Sequence, residues 1–132
     1  MRTEPISVVN EFLNAVKSLD LAKIADLLDE KVQWTQPGDN QISGPKDSKE
    51  MVFSMVGKMF ELSHNTIQLT GFDTVCVNDE RIAAVLSWSA TKPSGDRLTV
   101  INIDVYTVAW GKIVRVEVFS ADQAQEDQFW KS

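Results

Sequence analysis

LTVINIDVYTVAWGKIVRVEVFS, residues 98–120, is two β-branched runs joined by a tight turn, with an acid, Asp104, in the middle of the first. The turn sets the face on which Asp104 lies. A two-residue loop of Trp110-Gly111 needs positive φ at Trp110, an unfavourable site for a bulky residue. A three-residue loop, Ala109-Trp110-Gly111, leaves Gly111 alone in the left-handed region, which suits a type I turn with a G1 bulge. The expected register then pairs Val108 with Lys112, Tyr106 with Val114, Asp104 with Val116 and Asn102 with Val118. Asp104 would stand on a face walled by Val114, Val116 and Val118, in line with Asn102 and Tyr106. A slip of one residue would set it beside Arg115 and Glu117 instead, on a solvated ladder.

Upstream of this hairpin the pattern is β back to Thr66. Runs over 66–77 and 81–91 are broken by Asn78-Asp79-Glu80 and Pro93-Ser94-Gly95-Asp96, so consecutive strands pair antiparallel. Before His64 the pattern is helical. Thr3 and Pro5 open a first helix carrying Val8, Val9, Phe12, Leu13, Val16 and Leu19. Asp20 caps a second, with Leu21, Ile24, Leu27 and Leu28 as its buried face. Residues 31–36 alternate as a short strand, with Val32, Trp34 and Gln36 on one side, and 37–45 reads as a loop. A third helix from about Asp47 bears a stripe of Met51, Met55 and Met59, usually core, here also an adaptable wall. The tail from Ala121 is polar except for Phe129 and Trp130 and reads as a solvated end, at most a frayed helix.

Three helices followed by a curled antiparallel sheet make an α+β domain, and 132 residues form one domain, 1–132. The helices can cover only one face of that sheet. The expected other face carries Ile101, Ile103, Val105, Ile113 and Phe119 beside Arg115 and Glu117, more apolar than a solvated face usually is, so a partner subunit is expected there. A net charge of −6 leaves no basic excess for nucleic acid or anionic lipid. The single cysteine, Cys76, excludes an intrachain disulfide, and no apolar run approaches membrane-spanning length, so the cytoplasm is the expected location.

The strand exit Val32-Gln33-Trp34-Thr35-Gln36-Pro37-Gly38, the Ile42-Ser43-Gly44 lead into helix three, Ile103-Asp104-Val105 and the closing hairpin Gly111–Arg115 resemble the nuclear transport factor 2-like superfamily. Within it the chain looks most like the SnoaL-like polyketide cyclases and ketosteroid-isomerase-like proteins, over roughly Ser7 to Ser120. The resemblance implies a cystatin-like fold: a cone-shaped sheet wrapped around N-terminal helices, with a deep apolar pocket, usually in a homodimer. It also implies a comparison of site residues. The isomerases of that family join an aspartate base to a tyrosine and a protonated aspartic acid. Gln36 falls at the base position and Phe12 at the tyrosine position, so only the acid, Asp104, matches. Gln36 cannot abstract a proton and Phe12 cannot donate a hydrogen bond. Steroid isomerisation by that residue set is therefore not expected.

Asp104 is the candidate catalytic group, because a carboxyl in an apolar cleft is desolvated and its pKa rises toward the range useful for acid/base work. The candidate ligand-binding set is Phe12, Trp34, Gln36, Met55, Met59, Asn102, Tyr106, Val116 and Val118, around a small apolar, oxygen-bearing molecule. The bland alternative is a solvated strand acid, or a structural partner of Tyr106. The sequence does not assign Trp88 to either face. One histidine, His64, cannot build a multi-histidine metal site, no Cys or His pair has ligand spacing, and Gly38 to Gly44 lacks the Lys-Ser/Thr of a phosphate loop. No metal and no cofactor is expected. Two readings stay open: an isomerase- or cyclase-type enzyme using Asp104, and a non-catalytic binding or interaction module of the same fold.

Overall fold

The computed structural model describes residues 4–131, save the side chains at 74 and 75. Helices α1 (Pro5–Ser18) and α2 (Leu21–Leu27) come first, then strand β1 (Leu28–Gln36), the short β2 (Gly44–Lys46) and helix α3 (Lys49–Leu62). Four long strands follow, β3 (Gln68–Asn78), β4 (Arg81–Thr91), β5 (Arg97–Ala109) and β6 (Lys112–Ser120), and helix α4 (Gln123–Phe129) closes the chain. The sheet runs β2-β1-β6-β5-β4-β3. Every neighbouring pair is antiparallel except β1 with β6, which is parallel. The α+β class with a curved, helix-covered sheet is as expected.

Asp20 and Ser48 cap α2 and α3 by accepting from the backbone N–H three residues on. Pro5 begins α1, while the expected cap Thr3 lies outside the described residues. Val8, Val9, Phe12 and Leu13 of α1 are buried over the sheet, whose inner face offers Ile82, Ala84, Leu86, Leu98, Val100, Tyr106 and Val116. Three expected core residues are not core: Leu19, which takes a left-handed conformation at the end of α1, Leu21 and Met51 are exposed. Leu28 is buried as expected, but it belongs to β1 rather than α2. Gly44 and Pro45, expected in a loop, pair together with Lys46 against Gln36, Thr35 and Trp34 as an edge strand.

The β5–β6 hairpin departs from the expected register. Its turn has two residues, with Trp110 at φ 56° and Gly111 at φ 74°, so both central residues are left-handed as in a type I′ turn. Ala109 pairs with Lys112 and Val108 with Ile113. Continued regularly, that register would set Asp104 against Glu117. A bulge at Val114 adds one residue to β6, after which Thr107 meets Arg115, Tyr106 meets Val116 and Asp104 meets Val118. The bulge thus returns the valines to the inside. Trp110 holds this strained position with its side chain 99% exposed. Ile113 is buried on the inner face, not on the outer one as expected.

The tail differs most. Asp122 caps α4 by accepting from Gln125 N, and Glu126, Phe129 and Trp130 are buried. Asp127 Oδ1 accepts from Asp39 N at 3.0 Å, Asn40 Nδ2 at 2.8 Å and Gln123 Nε2 at 3.0 Å. Those bonds hold its carboxyl below the usual range. Lys92 Nζ donates to the Phe129 carbonyl and stands over its ring, 4.7 Å from the centroid. Gly38, at φ +94°, lies so close under α4 that a Cβ there would strike the Gln123 and Asp127 side chains. These contacts fasten α4 across one end of the curved sheet.

Candidate functional site

The alternation of β5 puts Asn102, Asp104 and Tyr106 on the inner face, and all three are buried. They open on a cavity of about 90 Å³ that α1, α3, α4 and the sheet enclose together. Phe12, Leu13 and Val16 of α1, Met55, Val56 and Met59 of α3, and Trp34 and Gln36 of β1 form much of its wall. Leu86 and Trp88 of β4 stand on a third side, and Glu126 and Trp130 close the end nearest α4.

Tyr106 Oη donates to Asp104 Oδ2 at 2.8 Å, which leaves Oδ1 with no hydrogen bond inside the protein. Burial pushes the Asp104 carboxyl up to about 7, opposed by the Tyr106 hydroxyl and assisted by the negative charge of Glu126. Burial likewise raises Glu126, with Ser120 and Trp130 pulling the other way. Its Oε2 makes no hydrogen bond, and the Trp130 indole near it does not reach bonding geometry. Tyr106 is raised well above its ordinary value by burial and by Asp104. The result is a carboxyl that can hold or release a proton near neutrality, with one oxygen tied down and the other free.

Phe12 packs edge-on against Tyr106, ring centroids 5.8 Å apart at 63°. The hydroxyl absent from Phe12 is therefore present two residues from the acid, though spent on Asp104. Gln36 accepts from Trp34 Nε1 through its Oε1 at 3.0 Å. Of the ten sequence candidates, Phe12, Trp34, Gln36, Met55, Met59, Asn102, Asp104, Tyr106 and Val118 line the cavity. Val116 does not. It is fully buried between Trp34 and Tyr106, and the shifted register gives Val118 the place opposite Asp104.

The SnoaL-like domain pattern matches residues 9–116, most of the chain. The chain belongs to the SnoaL-like domain family. An uncharacterised Mycobacterium tuberculosis protein is 27% identical over 111 residues, 84% of each chain. A Xanthomonas campestris protein of unknown function with a cystatin-like fold has 32% identity and a TM-score of 0.92, over 98% of this chain and 100% of that one. An NTF2-like protein of unknown function from Burkholderia pseudomallei, 21% identical, superimposes with a TM-score of 0.83 over 99% and 100%, a likeness of fold alone.

Among the lining residues of this SnoaL-like chain that were not sequence candidates are Trp88, Glu126 and Trp130. Trp88 pairs with Val100, a buried inner-face residue, so strand parity assigns it inward once the β4–β5 register is known. Glu126 and Trp130 are four apart on a segment otherwise read as polar. The Glu126, Phe129, Trp130 spacing of three and four is the signal that would have found a one-sided helix.

Proposed function

We propose that this SnoaL-like chain binds one small apolar, oxygen-bearing molecule in the cavity and that Asp104 performs isomerase- or cyclase-type acid/base chemistry on it. One observation carries the reading. Asp104 lines the cavity, buried in an apolar wall, with Oδ2 held by Tyr106 and Oδ1 without a hydrogen-bond partner among the described residues. A carboxylic acid so placed donates a proton to a ligand oxygen in one step and recovers it in the next. The volume, about 90 Å³, disfavours a fused polycycle. The familiar steroid-isomerase residue set is not part of the proposal, since Gln36 and Phe12 replace two of its three members.

Gln36 specifically favours a second reading, a binding module without turnover, because its amide oxygen is occupied by Trp34 and no base stands in its place. A thermal-shift and native mass-spectrometry search against a metabolite library separates the two. The first reading expects a retained ligand that is converted by the wild type and left intact by Asp104→Asn. Retention without conversion supports the module, and a cavity that retains nothing defeats the first reading and leaves only an interaction module.

Two assignments extend this reading. We infer a homodimer through the outer sheet face, where Ile101, Ile103 and Phe119 are exposed. We also infer a cytoplasmic location, for which the exposed thiol of Cys76 fits a reducing compartment. No helix among the described residues is long and apolar enough to cross a membrane.

A further inference from the structure

Four polar atoms of residues that line the cavity are buried and make no hydrogen bond among the described residues. Three are oxygens, Asn102 Oδ1, Asp104 Oδ1 and Glu126 Oε2, and the fourth is a donor, Trp130 Nε1. Each belongs to a residue at least nine-tenths buried, and all four residues line the one cavity. They come from two elements, β5 and the α4 segment. Buried polar groups are costly when unpaired, so a ligand that completes them gains what a purely apolar one cannot.

The mixture of donors and acceptors selects among head groups. A ketone only accepts, and so leaves Asn102 Oδ1 unfilled. A carboxylate only accepts and carries a charge toward two acids, with no Lys, Arg or His in the lining. An ammonium only donates, and leaves Trp130 Nε1 unfilled. A hydroxyl both donates and accepts. It is therefore the one head group of these four that can accept from Trp130 Nε1 and donate to one of the unpaired oxygens at once.

We propose that the α4 end of the cavity is a head-group site for an uncharged apolar compound bearing a hydroxyl, with Glu126, Asn102 and Trp130 as its specificity determinants. This rests on the reading that the cavity binds a small molecule, and it names the chemical class. Asp104 then meets the ligand from the strand while Glu126 and Trp130 meet it from the helix.

Four probes with one body and different heads test it: cyclohexanol, cyclohexanone, cyclohexylamine and cyclohexanecarboxylate. Binding is followed by titration of the Trp130 indole N–H resonance in the full-length protein. Cyclohexanol should bind roughly tenfold or more tighter than the ketone and the carboxylate, because a site built for a hydroxyl rejects analogues that leave it unpaired. Glu126→Leu should remove most of that preference while leaving ketone binding within about twofold. Glu126→Gln, which keeps an acceptor oxygen and the side-chain shape, should retain it and guards against a folding defect in the leucine variant. Preference for the ketone, the amine or the carboxylate overturns the head-group assignment while leaving a ligand cavity standing. Saturable binding by none of the four overturns the assignment and the small-molecule reading together.

Discussion

At the scale of single residues the chemistry turns on Asp104. Its folded pKa, about 7, lies above the ordinary 3.8, so the native state holds the proton more tightly than the unfolded chain does. As pH rises from about 4 through 7 the folded state therefore loses stability, and above that the loss is constant. One pKa unit corresponds to about 1.4 kcal/mol, so the full cost is of the order of a few kcal/mol. Asp104→Asn should be more stable than the wild type by ~1–3 kcal/mol at pH 8.5 and nearly equal to it at pH 4. Urea denaturation at the two pH values measures this, and an asparagine variant destabilised at pH 8.5 would identify an acid paired in its ionised form. The neighbours should move the carboxyl in opposite directions. Tyr106→Phe removes the hydroxyl that favours the ionised form and should raise the Asp104 pKa further, at a stability cost of about 1 kcal/mol. Glu126→Gln removes a repelling charge and should lower it. Carboxyl carbon NMR titration of both variants reads the two directions, and shifts of the same sign would contradict the arrangement.

Among the elements, the β5–β6 hairpin and α4 show what the sequence disclosed and what it withheld. The inward face of Asp104 was legible only by way of a three-residue turn that does not form, and the bulge at Val114 reaches the same face by another route. The turn itself was not. Trp110 at positive φ contradicts local preference, and only the bulge at Val114 makes that turn compatible with the inward valines. Two unfavourable local choices that compensate each other are invisible to a reading that takes each alone. For α4 the obstacle was Glu126, since a glutamate amid polar residues reads as solvated and its burial depends on a cavity built by distant strands. Met51 erred the other way: its spacing joins it to Met55 and Met59, yet it lies at the α3 start, beyond the reach of the sheet. The turn gives a direct test. Trp110→Asn places a residue that tolerates positive φ at a site with no packing to lose, and should stabilise the fold by ~0.5–1 kcal/mol. Thermal unfolding of the variant checks this, and a fall in midpoint would mean that the indole makes contacts which its exposure conceals.

For the whole molecule, the two faces of one sheet differ in their cover. The inner face is covered by the protein's own helices. The outer face sets exposed Ile101, Ile103 and Phe119 beside a small charged group in which Glu117 pairs with Arg81 at 3.6 Å and Arg115 at 3.5 Å. An apolar strip with a polar flank is what a subunit interface requires. Light scattering at micromolar concentration should give twice 14.8 kDa, and Ile103→Lys should return the mass to that of one chain without lowering thermal stability below that of a folded domain. A wild type that is monomeric would remove the dimer from the proposal while leaving the cavity and its chemistry untouched.

The bulge at Val114 also bears on how the gene can change length. Strand faces alternate residue by residue, so losing one codon within β6 ordinarily turns every later side chain over. Loss of codon 114 is different, because Val114 is the extra residue: Ile113 would still meet Val108, Arg115 would still meet Thr107, and Asp104 would still meet Val118. In a deletion scan of β6, folded protein should survive at codon 114 and disappear at codons 116 and 118. The irregularity that hides the register in the sequence is the one place where the strand can be shortened by a single residue and keep its acid inside.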